Sequence, residues 1–242
     1  MLSTHPAQQN HFLAALPLEV QQRLAPHLEL VRLPAGTVLQ ESVTPSVDAY
    51  FPVDCIISRL YVTESGASTE VSLVGNEGFI GVALLLGGRS LPTRAVVETG
   101  GHAYRLRGQR FTEEIDRHGD FMALALRYVQ SLVTLIAQSA VCHRFHTIDQ
   151  RLCRRLLMNL DRSSGNQVIM TQETLAQLLG VRREGITEAA TKLHHLGILD
   201  YSRGHITVRD RGRLEQLSCE CYAAVRQETD RLLHGIRTAS GR

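Results

Sequence analysis

The segment Arg182-Arg-Glu-Gly-Ile-Thr-Glu188 concentrates side chains that hydrogen-bond well to the base edges of a nucleic-acid duplex. An arginine fork pairs bidentately with guanine and a glutamate accepts from the cytosine amino group, each good base contact contributing ~1–3 kcal/mol of discrimination. Arg182, Arg183, Glu184, Thr187 and Glu188 are therefore candidate base readers. Thr171 and Gln172 upstream, with Arg203 downstream, are candidates for phosphate contacts that set register without reading sequence.

Those side chains need rigid elements behind them. Thr171 can cap a helix whose apolar side is Leu175, Leu178 and Leu179, and Gly180 ends it by tolerating the left-handed conformation of a tight turn. A second helix is predicted from about Arg182 to Leu196, packing Ile186, Ala189, Ala190 and Leu193 inward. Ile198–Tyr201 and His205–Val208 then read as two strands joined at Arg203-Gly204, a β-wing with a cation at its tip. Helix, short glycine turn and helix is the arrangement that lays its second helix in a major groove. Packing alone could explain a helical hairpin, but not the order of helices, glycine and wing together.

Charge is consistent with a polyanionic partner when read locally. The net charge of +2 says little, whereas Arg144 to Arg213 holds twelve cationic against seven acidic residues. Five cysteines in 242 residues are too few and scattered for a disulfide framework, so reduced thiols are expected. The start Met1-Leu-Ser-Thr-His-Pro6 lacks an export signal, and no apolar run approaches the roughly 20 residues that span a bilayer, so a cytoplasmic, non-membrane protein is expected.

Residues 28–106 alternate short Val-, Ile-, Leu- and Thr-rich runs with turn signals, as expected of a small β-barrel or jelly roll. Phe121–Gln138 contains no Gly or Pro and predicts one long helix with two apolar stripes. Leu124, Tyr128, Leu132 and Leu135 are assigned to dimerisation; Leu126, Val129, Val133 and Ile136 form the other stripe. A fully buried core helix would explain the same stripes. The predicted fold class is α+β: a sensor β-roll over 1–118, a dimerisation helix over 119–145 and a winged helix-turn-helix over 146–242.

Gly180-Val-Arg-Arg-Glu-Gly-Ile-Thr-Glu-Ala-Ala190, Thr171-Gln-Glu and the wing resemble the bacterial regulators of the cyclic-AMP receptor and fumarate-nitrate regulator (Crp/Fnr) family. Tyr50-Phe-Pro-Val-Asp, Gly75-Asn-Glu-Gly-Phe-Ile-Gly81, His143-Arg-Phe-His and Gln150-Arg-Leu-Cys-Arg are similar to one branch of it, so the likeness covers almost the whole chain. The resemblance implies a homodimeric transcription regulator on double-stranded DNA, with RNA polymerase as a further partner. It places Arg183 and Glu184 at base-reading positions, whereas Glu188 stands where cyclic-AMP-responsive members usually have arginine.

The same resemblance locates an effector pocket at Gly81, Val82, Thr93 and Arg94. Nucleotide-binding members have glutamate where Val82 stands and arginine where Pro92 stands, with Arg94 displaced, so cyclic AMP is not expected to bind in the usual way and the effector stays unidentified. A buried cyclic phosphate without its cation loses a charge-assisted contact.

No catalytic residue, cofactor or metal is expected. Iron–sulfur sensing needs an N-terminal cysteine cluster, and the first cysteine is Cys55. Haem ligation by Cys55 or His102 would rest on lone residues. Cys219-Glu-Cys221 supplies two of the four ligands of a zinc site, and the expected role of Cys219 and Tyr222 is packing at a helix end. His143 and His146 lie one turn apart with no third ligand evident in the sequence. Two rival classes are a signalling module that binds a small ligand without DNA and a β-roll metalloenzyme. The latter needs clustered His and carboxylate ligands, and His102 is the one histidine between Leu28 and Leu106.

Overall fold

A computed structural model describes residues 9–234; Met1–Pro6 and the reading made of it lie outside the described residues. The chain divides into two compact units, one of residues 1–59, 73–133 and 227–242, the other of residues 60–72 and 134–226.

The first unit is a β-roll with flanking helices. Asn10 caps α1 (His11–Ala14) by accepting from the Leu13 amide, and its buried side chain donates to the carbonyls of Pro52 and Gly78. Helix α2 (Leu18–Leu24) follows. Strands β1 (Glu29–Leu33), β7 (Gly101–Arg107) and β3 (Asp48–Pro52) form one antiparallel sheet in that order. The other sheet runs β2 (Val38–Gln40), β6 (Arg94–Thr99), β4 (Ile56–Val62), β5 (Ser68–Val74), with a register shift between β2 and β6. Leu33, Cys55, Ile57, Val74, Ala95 and Val97 fill the space within the roll.

Short helix α3 (Val82–Leu85), α4 (Gly108–Asp116) and the 26-residue α5 (Asp120–Phe145) complete the helical layer. Phe12, Phe51, Phe79, Phe111, Phe121 and Tyr128 interlock with ring centroids 4.8–6.1 Å apart. Such offset and edge-on pairs add to the burial of large apolar rings. Gly78 lies so close to the Tyr128 ring that a Cβ would fall 2.2 Å from it, which accounts for a glycine in the Gly75–Gly81 stretch.

Helix α5 corrects two expectations. Leu124, Tyr128, Leu132 and Leu135, assigned to dimerisation, are 1%, 2%, 7% and 4% exposed within a single chain, so that stripe is core. Leu126, Val133 and Ile136 of the second stripe are 46%, 59% and 46% exposed. Two apolar stripes look alike in sequence, and the bulk of Tyr128, which completes the aromatic cluster, decides which one turns inward. An 18-residue window of mean hydropathy 1.3 also makes α5 long and apolar enough to cross a membrane by length and composition, although Arg127 and Gln130 interrupt its apolar runs.

The second unit contains α6 (Ile148–Leu160), whose N-terminus carries a reciprocal capping box between Thr147 and Gln150. Strands β8 (Gln167–Ile169), β10 (His205–Val208) and β9 (Leu199–Ser202) form a small antiparallel sheet beside α7 (Gln172–Leu179) and α8 (Arg183–His195). Helices α9 (Arg211–Leu217) and α10 (Glu220–His234) follow, α9 capped by Asp210. Leu152, Leu156, Leu175, Ile186, Leu193, Ile198 and Leu214 are each at most 1% exposed, and they form the core under α7 and α8.

Candidate nucleic-acid interface

Thr171 caps α7 by accepting from the Thr174 amide at 3.0 Å, and Gly180 ends it at φ 62°, ψ 42°. A residue with a Cβ is strained there, which explains the glycine between the two helices. Arg182 is the N-cap of α8, and Ile186, Ala189, Ala190 and Leu193 are buried beneath it. With that face inward, Arg182, Arg183, Glu184, Thr187 and Glu188 are left on the outer side of the helix start.

The two helices are tied at this edge. The Thr187 hydroxyl donates to Gln172 Oε1 at 2.7 Å and lies 3.1 Å from the Arg183 carbonyl. The Gln172 amide donates to the Tyr201 hydroxyl at 3.2 Å, so wing strand β9 also braces the start of α7. Arg203 and Gly204 both have positive φ, 48° and 85°, at the two-residue turn between β9 and β10. That is the backbone a tight hairpin turn demands, and it leaves Arg203 exposed at the tip.

The local excess of cations resolves into two groups. Arg151, Arg154 and Arg155 of α6 are buried, donating to the Leu179 carbonyl, the Ser139 hydroxyl and the Glu70 carboxylate respectively. Lys192, Arg209 and Arg211 pair with Asp149, Asp200 and Asp161. Arg162 and Arg213 donate to the Met158 and Leu196 carbonyls, and Arg144 stacks on Phe145. Among the described residues, Arg182, Arg183 and Arg203 are the members of the twelve with no ion pair, side-chain hydrogen bond or ring contact. All three stand on the helix start and wing tip, where an anion can supply the missing partner.

In the first unit the four effector candidates do not share one role. Gly81, at φ 131°, precedes α3, and Val82 is 5% exposed. Arg94 is half-exposed and pairs with Glu41 at 3.1 Å, so its charge is already matched. Thr93 instead accepts from Arg59 Nη2 at 2.8 Å. Arg59 is 7% exposed, has no carboxylate partner among the described residues, and its Nε has no hydrogen bond. Burial pulls its pKa down. Sequence reasoning missed Arg59 because nothing in the run Ile56-Ile-Ser-Arg-Leu-Tyr-Val62 says which strand face its long side chain follows.

Cys55 is fully buried, and burial pushes its thiol up to about 12, so it is a packing residue. His102 is exposed and lies 3.2 Å from Asp54. In the second unit, ligand atoms of Cys142, His146, Cys219 and Cys221 all fall within 4.8 Å of one another.

Residues 150–217 match the family model of the Crp-like helix-turn-helix domain. No curated protein matches the chain. Among solved structures, a CRP-family transcriptional regulator from Thermus thermophilus is 14% identical with a TM-score of 0.65, over 78% of this chain and 96% of its own. The c-di-GMP-responsive global regulator CLP of Xanthomonas campestris is 16% identical with a TM-score of 0.63, over 79% and 99%. A CRP/FNR-family regulator, also from Thermus thermophilus, is 22% identical with a TM-score of 0.54, over 78% and 98%.

Proposed function

We infer that this chain is a DNA-binding transcription regulator of the Crp/Fnr type, a reading supported by the match of residues 150–217 to the Crp-like helix-turn-helix domain and by the likeness of its fold to regulators of that type. The reading is that two copies bind double-stranded DNA in the cytoplasm, each laying the start of α8 in a major groove. Arg183 and Glu184 read base edges, with Arg182, Thr187 and Glu188 beside them. Thr171, Gln172 and Arg203 hold phosphates on either side. The observation that carries this is the set of cations without side-chain partners among the described residues, Arg182, Arg183 and Arg203, on one helix start and one wing tip.

The dimer seam in this reading is the exposed stripe of α5. Leu126, Val133 and Ala140 recur every seven residues, and Val129 and Ile136 fall between them, the spacing of a two-stranded coiled coil. The domain plan is a sensor β-roll over 1–118, the helix over 119–145 and the DNA-binding domain over 146–242. In the sensor, Arg59 and Thr93 receive an anionic group. RNA polymerase is the further partner in this reading.

Selection of bound fragments from genomic duplex DNA, followed by anisotropy titrations at several salt concentrations, tests the reading. A shared, two-fold-related motif and an affinity that falls steeply with salt are expected. Absence of salt-sensitive binding to any duplex would favour the signalling module without DNA.

A further inference from the structure

Three buried thiols and one imidazole meet where the end of α5 approaches the start of α10. Cys142 and His146 are one turn apart on and just past α5, and Cys219 and Cys221 flank Glu220 at the start of α10. The cysteines are 1%, 3% and 0% exposed, and all four ligand atoms lie within 4.8 Å of one another. Sequence alone offered only the Cys219-Glu-Cys221 pair; the fold adds the other two, bringing together residues 77 and 75 positions apart in the chain.

We propose that Cys142, His146, Cys219 and Cys221 form a closed Cys3His site for a thiophilic divalent cation of the zinc type. Cys142 Sγ and Cys219 Sγ are 3.5 Å apart, and Cys221 Sγ lies 3.6 Å from His146 Nδ1. A tetrahedral ion with Zn–S near 2.3 Å and Zn–N near 2.0–2.1 Å requires edges of about 3.8 Å for S···S and about 3.5 Å for S···N. The two pairs are already spaced as ligands facing a common centre, and the sulfurs are too far apart to be bonded to each other.

The histidine is also held as a metal ligand is held. His146 Nε2 lies 3.2 Å from Glu220 Oε1, leaving Nδ1 directed to the thiols. A carboxylate on the far ring nitrogen fixes tautomer and orientation and raises the basicity of the ligating nitrogen. Soft thiolates with one imidazole select zinc over magnesium, calcium or manganese. Four protein ligands leave no open position, so the site is structural rather than catalytic. It would pin the end of α5 to the start of α10 inside the unit that carries α7 and α8.

Loading the site releases protons. Each thiol must lose its proton to solvent, and three thiolates with a divalent ion leave one net negative charge. The Arg154 guanidinium is an electrostatic neighbour of Cys142 and Cys221. That cation and the N-terminus of α10 offset the residual charge.

The full-length chain, purified with reductant, is analysed for metal by elemental mass spectrometry, then stripped by chelator and titrated with Co2+ alone. About one zinc per chain is expected, and one Co2+ per chain with a thiolate charge-transfer band and the intense d–d bands of four-coordination. Cys142→Ser should abolish the charge-transfer intensity of one thiolate and weaken binding at least ~10-fold. Exposed Glu220→Gln, which leaves the fold alone, should weaken it ~10–100-fold. Cys55→Ser and Cys153→Ser should leave the spectrum unchanged. A reduced chain that gives no such bands, or bands that survive both Cys142→Ser and Glu220→Gln at full affinity, would overturn the site. None of these readouts depends on DNA.

Discussion

The Thr187 hydroxyl donates to Gln172 Oε1 at 2.7 Å, joining the exposed edge of α8 to the first residue of α7. Each residue is thereby held at one position on the surface that faces the duplex in the proposed reading. A neutral hydrogen bond of this kind contributes roughly 0.5–1.5 kcal/mol. Both residues lie outside the core, so Thr187→Val and Gln172→Ala should each lower the unfolding free energy by no more than that bond contributes, roughly 0.5–1.5 kcal/mol. Their effects on operator affinity should be non-additive, with a coupling of roughly 0.5–1.5 kcal/mol in a double-mutant cycle. Strict additivity in anisotropy titrations would show that the pair does not act together on DNA.

Arg183 and Arg203 are both exposed cations without side-chain partners among the described residues, yet their positions assign them different work. Arg183→Ala should cost ~1–3 kcal/mol on the preferred duplex and relax preference at one base position. Arg203→Ala should weaken all duplexes about equally and lower the salt slope by about 1. Titrations of matched and scrambled duplexes at several salt concentrations separate the two, and equal losses of discrimination would contradict the division.

Much of this surface was legible in the sequence because its signals are local. Thr171 as cap, Gly180 at the turn, the inward set Ile186, Ala189, Ala190 and Leu193, and the Arg203-Gly204 wing turn each depend on residues a few positions apart. What was not legible depends on long-range packing. The inward stripe of α5 is chosen by the aromatic cluster around Tyr128, the burial of Arg151, Arg154 and Arg155 by the packing of α6, and the meeting of Cys142 with Cys219 by the return of α10. Arg59 was hidden for the same reason, since period-two patterning cannot say that a cation occupies an inward position.

The exposed α5 stripe predicts which substitutions separate association from folding. Val133→Glu and Ile136→Lys put charges where two copies would pack, and their side chains are 59% and 46% exposed in the single chain. Sedimentation should show a monomer with an unchanged circular dichroism spectrum, and DNA affinity should fall because half-site binding is no longer linked. Leu132→Ala, on the buried stripe at 7% exposure, should instead lower stability by about 2–5 kcal/mol. A dimer that persists in Val133→Glu/Ile136→Lys would move the interface off this helix.

Arg59 gives the sensor a measurable signature. Its guanidinium is buried, donates to Thr93 at 2.8 Å and meets no carboxylate among the described residues, an arrangement that costs stability until an anion arrives. Arg59→Met keeps the length of the side chain while removing the charge. It should therefore raise the unfolding free energy of the free protein by about 1–2 kcal/mol, a few degrees in Tm. An anion that binds only the folded wild type raises its Tm with concentration by mass action, whereas Arg59→Met has no cation to offer it. Scanning calorimetry in inorganic phosphate against chloride at equal ionic strength should show a phosphate-dependent rise in wild type and none in Arg59→Met. If the variant melts lower than wild type in chloride, the arginine is a structural strut and the anion reading fails.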